Sequence, residues 1–276
     1  MDYRTFLETK KRDFTGNGVP IDADSLPPML FPFQRKLVQW ALKKGRCALW
    51  TDTGTGKTLL QVSWASHVPG RVLILAPLCV SAQTIREAEK IGVTVGALGS
   101  GERIEITNYE QLHNVAAMDY SGVVLDESSI LKALDGKTRK RLTEAFAAHS
   151  WKLCCTATPA PNDIAELANH CEFLGIMTRP EMLATFFLHI DQDWVLKGHG
   201  REAFYRWLAS WGMFMRKPSD LGFSDDGYAL PPLTIEEHIV EGHGSGEYLF
   251  PEMGLGGIRG RMKVRRESLD GRVAEA

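Results

Sequence analysis

The chain has 276 residues, of which 44% are hydrophobic, and a formal net charge of −2. That apolar fraction supports a buried core, and at roughly 150 residues per domain the length suggests about two domains. A charge near zero excludes a globally basic nucleic-acid binder, so any basic surface has to be local. The five cysteines (Cys47, Cys79, Cys154, Cys155 and Cys171) show no C-x-x-C and no paired Cys/His spacing. This argues against a disulfide framework or a zinc site. Most of them lie in apolar runs, as small buried hydrophobes do. The start, MDYRTFLETKKRDF, has no signal-peptide core, and no apolar run nears the roughly 20 residues of a membrane helix. A reducing, cytoplasmic setting is expected.

In chain order, residues 1–15 suit a short amphipathic helix, and GNGVPIDADSLPP is turn-rich and reads as a linker. A helical pattern runs from Phe33 to Lys44. RCALWT (46–51) and RVLILAP (71–77) are continuous apolar runs of the kind found in strands buried on both faces. VTVGAL near 92–97, RIEIT (103–107), GVVLD (122–126) and WKLCCTAT (151–158) repeat the theme. Helix-like segments lie between them at Lys57–His67, Ser81–Ile91, Lys137–His149 and Asp163–Cys171. Strands alternating with helices predict an α/β domain with a parallel sheet. After Cys171 aromatic residues crowd the sequence. In EAFYRWLASWGMF and the residue after it, Phe204, Trp207, Leu208, Trp211 and Met215 fall at helical spacing. Core packing of an accessory helical piece is the favoured reading, and base stacking the lesser one. SDDGYALPPL (224–233) reads as a loop. The tail groups Arg259, Arg261, Lys263, Arg265 and Arg266, either a solvated helix face or a nucleic-acid patch.

The chemistry centres on TDTGTGKT, Thr51 to Thr58. The strict phosphate-loop pattern G-x-x-x-x-G-K-[ST] would place Gly where Thr51 stands. The context is nevertheless the required one: an apolar strand before it and LLQVSWASH, a helix, after it. Gly54 and Gly56 permit backbone angles closed to other residues, so Thr53, Gly54, Thr55 and Gly56 can turn their N–H groups toward a phosphate at a helix N-terminus. Lys57 would reach the β- and γ-phosphates of ATP, and the Thr58 hydroxyl would hold Mg²⁺. GVVLDESS supplies a carboxylate pair at the end of another strand. Asp126 would engage the metal, and Glu127 would orient or deprotonate the attacking water. The eight histidines are scattered without metal-ligand spacing, and no role is assigned to them.

These segments, taken in order, resemble the first motor domain of a superfamily 2 helicase of DEAD/DEAH-box-like type. FPFQ, with Gln34, resembles the adenine-reading Q motif, and an amide can pair with adenine as donor and acceptor. TDTGTGKT resembles motif I, in which Thr51 is an acceptable substitute for the first Gly. ILAPLCVSAQT and ITNYEQL resemble motifs Ia and Ib. The resemblance therefore implies nucleic-acid backbone contacts for Gln83, Thr84, Asn108 and Tyr109. LDESS resembles motif II, and TATP resembles motif III, which makes Thr156 and Thr158 the residues coupling ATP state to strand binding. WTDTGTGKT, NYEQL and MRKPSDLG…ALPPL narrow the likeness to the Swi/Snf-like branch, phage and prophage type. The likeness covers roughly residues 30–240. It implies a RecA-like P-loop NTPase fold, ATP and Mg²⁺ as cofactors, and double-stranded DNA as partner. A P-loop kinase or GTPase is disfavoured by Gln34, Asp-Glu and TATP.

Such a motor uses two RecA-like domains with ATP between them, and the second supplies arginine fingers. After LPPLTIEEHIV too little sequence remains here for a second α/β domain, which needs on the order of 100 residues. GGIRGRMKVRR superficially resembles a Gly-Arg finger but follows no series of strands. It reads instead as the opening helix of a missing second domain, carried on a longer or a separate chain. The expected organisation is an N-terminal helix and linker (1–27), a RecA-like domain (28–171), a helical aromatic-rich insert and linker (172–240) and a basic tail (241–276). The expected activity is that of the ATP-binding half of a DNA helicase or translocase. The alternative is a nucleotide-responsive nucleic-acid-binding fragment without appreciable turnover.

Overall fold

The computed structural model describes residues 13–132, 136–190, 193–226, Tyr228 and, in the tail, Arg266, Leu269 and Val273. The expected helix at 1–15 and the basic tail fall largely outside the described residues. One unit runs to residue 229, and the tail from residue 230 forms a second, in which Arg266, Leu269 and Val273 are helical.

The first unit opens with α1 (Pro32–Lys44), β1 (Arg46–Thr51), α2 (Lys57–His67) and β2 (Val72–Ala76). It continues with α3 (Ser81–Lys90), β3 (Gly96–Ala97), β4 (Ile104–Asn108), β5 (Gly122–Asp126), α4 (Lys137–Ala145) and β6 (Trp151–Cys155). Then come α5 (Leu167–Leu174), α6 (Arg179–Phe186), β7 (Phe187–Ile190), β8 (Asp193–Leu196), α7 (Arg201–Ala209) and β9 (Gly212–Met215). Seven strands form one sheet in the order β3-β4-β2-β5-β6-β1-β9, and every pairing is parallel.

Covering both faces explains the unbroken apolar runs, because alternate residues of one strand enter opposite cores. Leu73, Leu75, Leu125 and Cys154 face the core built with α4 to α7. Ile74, Val124, Leu153 and Cys155 face the core built with α1 to α3. The sequence linker is a strap: Asn17 N and Val19 N donate to the carbonyls of Lys44 and Leu42, satisfying the open end of α1. Among the described residues, no helix is long and apolar enough to cross a membrane.

The region after Cys171 departs most from the sequence reading. It is mixed rather than helical, with β7 and β8 forming an antiparallel pair and β9 returning to the main sheet beside β1. The helical spacing through Met215 breaks at Ala209. Gly212 sits against the Trp50 ring, where a Cβ would lie 2.3 Å from Cζ3, so the chain passes Trp50 as a glycine-led strand. Phe204, Trp207 and Trp211 are buried and pack into the core rather than presenting stacking faces. The expected strand at 92–97 shrinks to Gly96–Ala97.

Lys152, at the start of β6, is 1% exposed. Its ammonium donates to the Phe173 carbonyl at 2.9 Å and lies 5.4 Å from the Phe173 ring centroid. Burial, reinforced by the Arg46 charge, lowers its pKa from 10.5 to about 8. Between those values the unfolded chain binds the extra proton, so this residue makes folding more favourable as pH rises. Below about pH 8 the full cost is present. Lys152→Met should therefore be more stable than wild type at pH 7.5. Its advantage, read from urea midpoints, should shrink by on the order of 2 kcal/mol by pH 10. A constant difference across that range would show that the lysine is not desolvated.

Candidate nucleotide site

The β1–α2 connection turns on Gly54 (φ 78°) and Gly56 (φ 80°), both in the left-handed region that glycine enters without strain. Gly56 is also pinned from outside, since a Cβ there would lie 2.4 Å from Gln34 Nε2. Because α2 starts at Lys57, its unpaired first-turn amides and positive dipole end face the concave side of the loop. Thr51 is fully buried, and its hydroxyl is 2.8 Å from that of Thr55, which also bonds the Asp52 carbonyl at 2.7 Å. A side-chain bond across the base of the turn thus occupies the place of the first glycine. The Lys57 ammonium donates to the carbonyls of Thr51 and Asp52, both at 3.1 Å, which holds it over the loop. Thr53 is exposed and Thr58 partly buried in the first turn of α2.

Asp126 ends β5, and Glu127 follows with φ 50°, alone among the described non-glycine residues in having positive φ. Gln61 Nε2, one turn along α2 from Lys57, donates to Asp126 Oδ1 at 2.6 Å. The Tyr109 hydroxyl donates to the Asp126 main-chain carbonyl. Burial raises the pKa of the Asp126 carboxyl. The neighbouring Glu127 adds to the rise, while the Gln61 amide and Lys57 charge oppose it. Glu127 is exposed and accepts from Thr156 Oγ1 at 3.1 Å on Oε2. Thr158 N donates in turn to Thr156 Oγ1 at 3.1 Å. Thr51–Thr58, Asp126–Glu127 and Thr156–Thr158 therefore gather at the carboxyl ends of β1, β5 and β6.

Not every expected residue faces this site as anticipated. Gln34 is 2% exposed: its Nε2 donates to the Thr55 carbonyl at 2.9 Å and its Oε1 accepts from Phe31 N. Its amide buttresses the loop from beneath. The aromatic surface beside it is a cavity of about 180 Å³ lined by Phe31, Phe33, Phe223 and Tyr228. Thr84 is 3% exposed and bonds back to the Val80 carbonyl, as helical threonines do. Tyr109 is buried with its hydroxyl bound to Asp126. As folded here, neither offers its side chain to a nucleic-acid backbone. Gln83 is exposed on α3, and the partly buried Asn108 caps the following 3₁₀ turn through Gln111 N. Gln61 was missed by motif reading. Its signal was a polar residue on the buried face of a helix, one turn past Lys57.

The donor set fits a nucleotide with a hard cation. Thr58 and Asp126 carry oxygen donors of the kind Mg²⁺ prefers together with substrate phosphates. Among the described residues no group of three or more His, Cys, Asp or Glu could hold a metal by itself.

No family model matches the chain, and no curated relative matches it. Solved structures do match. A SWI2/SNF2 ATPase core from Sulfolobus solfataricus, solved with dsDNA, superposes with a TM-score of 0.61 at 19% identity, over 74% of this chain. The chain spans 48% of that core. The UvsW helicase of bacteriophage T4 matches at TM-score 0.44 and 16% identity, over 64% of this chain and 66% of its own. The Pyrococcus furiosus Hef helicase domain matches at TM-score 0.42 and 16% identity, over 52% of this chain and 36% of its own. The fold is thus a RecA-like α/β fold, shared with that SWI2/SNF2 ATPase core.

A desolvated carboxylate at a binding site is destabilising until its cation arrives. At neutral pH, without nucleotide or Mg²⁺, Asp126→Asn should raise the melting temperature by about 2–4 °C, as expected for roughly 1 kcal/mol in a chain of this size. The amide keeps an acceptor for Gln61 while removing the charge. A lowered melting temperature in differential scanning calorimetry would refute the assignment.

Proposed function

We propose that this chain is the ATP-binding half of a superfamily 2 DNA helicase or translocase, coupling ATP hydrolysis to grip on double-stranded DNA. The observation that carries this reading is the contact of Thr156 with Glu127. It ties the water-activating carboxylate to the loop at the end of β6, beside the phosphate loop. In this reading Gly54, Gly56 and the first-turn amides of α2 cradle the phosphates. Lys57 swings from its loop carbonyls to the β- and γ-phosphates. The aromatic cavity of Phe31, Phe33 and Tyr228 seats the base, and Gln34 sets the loop that meets it. Thr58 and Asp126 would hold Mg²⁺, which offsets phosphate charge. Glu127 orients the attacking water in line with the γ-phosphate and takes its proton.

Thr156 and Thr158 relay the state of that carboxylate to the surface, where Thr158, Pro159 and Arg216 border a groove of about 830 Å³. The resemblance in motifs Ia and Ib assigns Gln83 and Asn108 to the DNA side. A second RecA-like domain, on the same longer chain or another, would complete the cleft. The five unpaired cysteines suit a reducing cytoplasm, bacterial or phage-infected. The chain spans only 48% of the S. solfataricus core. A second reading is a nucleotide-responsive DNA-binding module without appreciable turnover on its own.

The test is ATP binding and phosphate release by the full chain, with and without duplex DNA. DNA-stimulated release is expected from wild type. Glu127→Gln should retain ATP with release reduced about a hundredfold or more, and Lys57→Ala should lose ATP binding. Binding without release supports the second reading. Absence of ATP binding by wild type defeats both.

A further inference from the structure

One buried polar group at this end of the sheet has no part in the chemistry described so far. His170, on α5, is fully buried, and its Nε2 shares a 3.1 Å hydrogen bond with Ser128 Oγ. Its other ring nitrogen, Nδ1, has no hydrogen-bond partner. The Trp50 ring meets it edge-on at 5.8 Å. Ser128 is itself fully buried and directly follows Glu127. The preceding residue of α5 makes a parallel contact: Asn169 Nδ2 donates to the Lys132 carbonyl at 3.4 Å. Two consecutive side chains of α5 therefore hold both ends of the 3₁₀ turn Ser128–Lys132.

Burying a histidine with one unsatisfied nitrogen costs free energy, and an apolar side chain would fill the same space without that cost. The bond therefore needs a use other than packing. Its position supplies one. Glu127 has φ 50°, a conformation that costs a non-glycine residue on the order of 1 kcal/mol or more and persists only where its surroundings enforce it. Upstream, β5 fixes Asp126 in the sheet. Downstream, Ile130 N donates to the Glu127 carbonyl at 3.1 Å, and Ser128, the next residue, is held through its hydroxyl by His170, with Cys154 beside it.

We propose that His170 is a positioning residue for the Asp-Glu pair. Through Ser128 it holds Glu127 in its left-handed conformation, so that the carboxylate stays against Thr156 and in line for water activation. This rests on the reading of Glu127 as the water-orienting base. Small misplacements of such a base cost up to about a hundredfold in rate while leaving the phosphate loop intact.

The experiment measures kcat, KM and fluorescent-ATP affinity of the full chain with duplex DNA, together with amide hydrogen exchange across 128–132. The variants are Ser128→Ala, His170→Leu, their double mutant, and His170→Gln, whose amide nitrogen can take the place of Nε2. Each single loss should lower kcat about tenfold or more, with ATP affinity within about twofold, and speed exchange in the turn. The double mutant should be no slower than the worse single one, and His170→Gln should recover most of the rate. The proposal is overturned if Ser128→Ala turns over and exchanges like wild type, if the two losses multiply, or if Gln fails to rescue. Should His170→Leu not fold, Ser128→Ala and His170→Gln still decide. A wild-type chain that binds ATP without turnover removes the water-activation reading and this proposal together. An active wild type with unaffected variants removes the proposal alone.

Discussion

A parallel strand covered on both faces can present chemistry only at its end. That constraint organises this molecule. β1, β5 and β6 are apolar along their lengths because helices pack on either side. Their registers then decide which residues meet once the strands run out. Asp126 lies opposite Cys155, and Cys155 opposite Leu49. The residue after β5 is Glu127 and the residue after β6 is Thr156, so strand pairing brings the two positions side by side. Likewise β1 carries Thr51 and the phosphate loop to the same edge, where ligands of open α/β sheets bind.

The loop shows how a motif tolerates a substitution without losing its physics. The first glycine of the strict pattern relieves crowding where the strand turns. Here Thr51 is buried, and its hydroxyl and that of Thr55 close the base of the turn. Gln34 then supports the far side through the Thr55 carbonyl. The rigidity comes from side-chain hydrogen bonds in a fully buried spot, where such bonds are costly to break. Only Gly54 and Gly56, which need positive φ, could not have been replaced in this way.

The sheet, most of the helices and the clustering of motif residues were legible because they rest on periodicity and strand-end position. α2 has the bounds its sequence predicts, and β1 and β5 do as well. What was not legible depends on contacts between distant segments. Tyr109 reads as a loop-borne polar aromatic, but Asp126 draws its hydroxyl inward. Thr84 occupies the buried stripe of α3, a position its neighbours in sequence do not reveal. β9 was hidden because four residues beginning with glycine carry little strand signal, and their identity comes from Trp50 across the sheet. His170 looked like one histidine among eight. Only the fold brings it to Ser128.

Adjacent carboxylates at one strand end repel each other, and placing them in different surroundings lets both remain useful. Asp126 continues the strand, is half-buried, and is held by the Gln61 amide. Had Glu127 continued in extended conformation, its side chain would have crossed to the opposite face of the sheet. The left-handed turn at φ 50° re-aims it to the exposed edge, where Thr156 can reach it. One carboxylate is thus poised where a cation would repay its desolvation, and the other where water has access. The backbone strain at Glu127 is the structural means of separating the two environments. It is tolerated because the sheet on one side and the α5-clamped 3₁₀ turn on the other leave the chain no easier path.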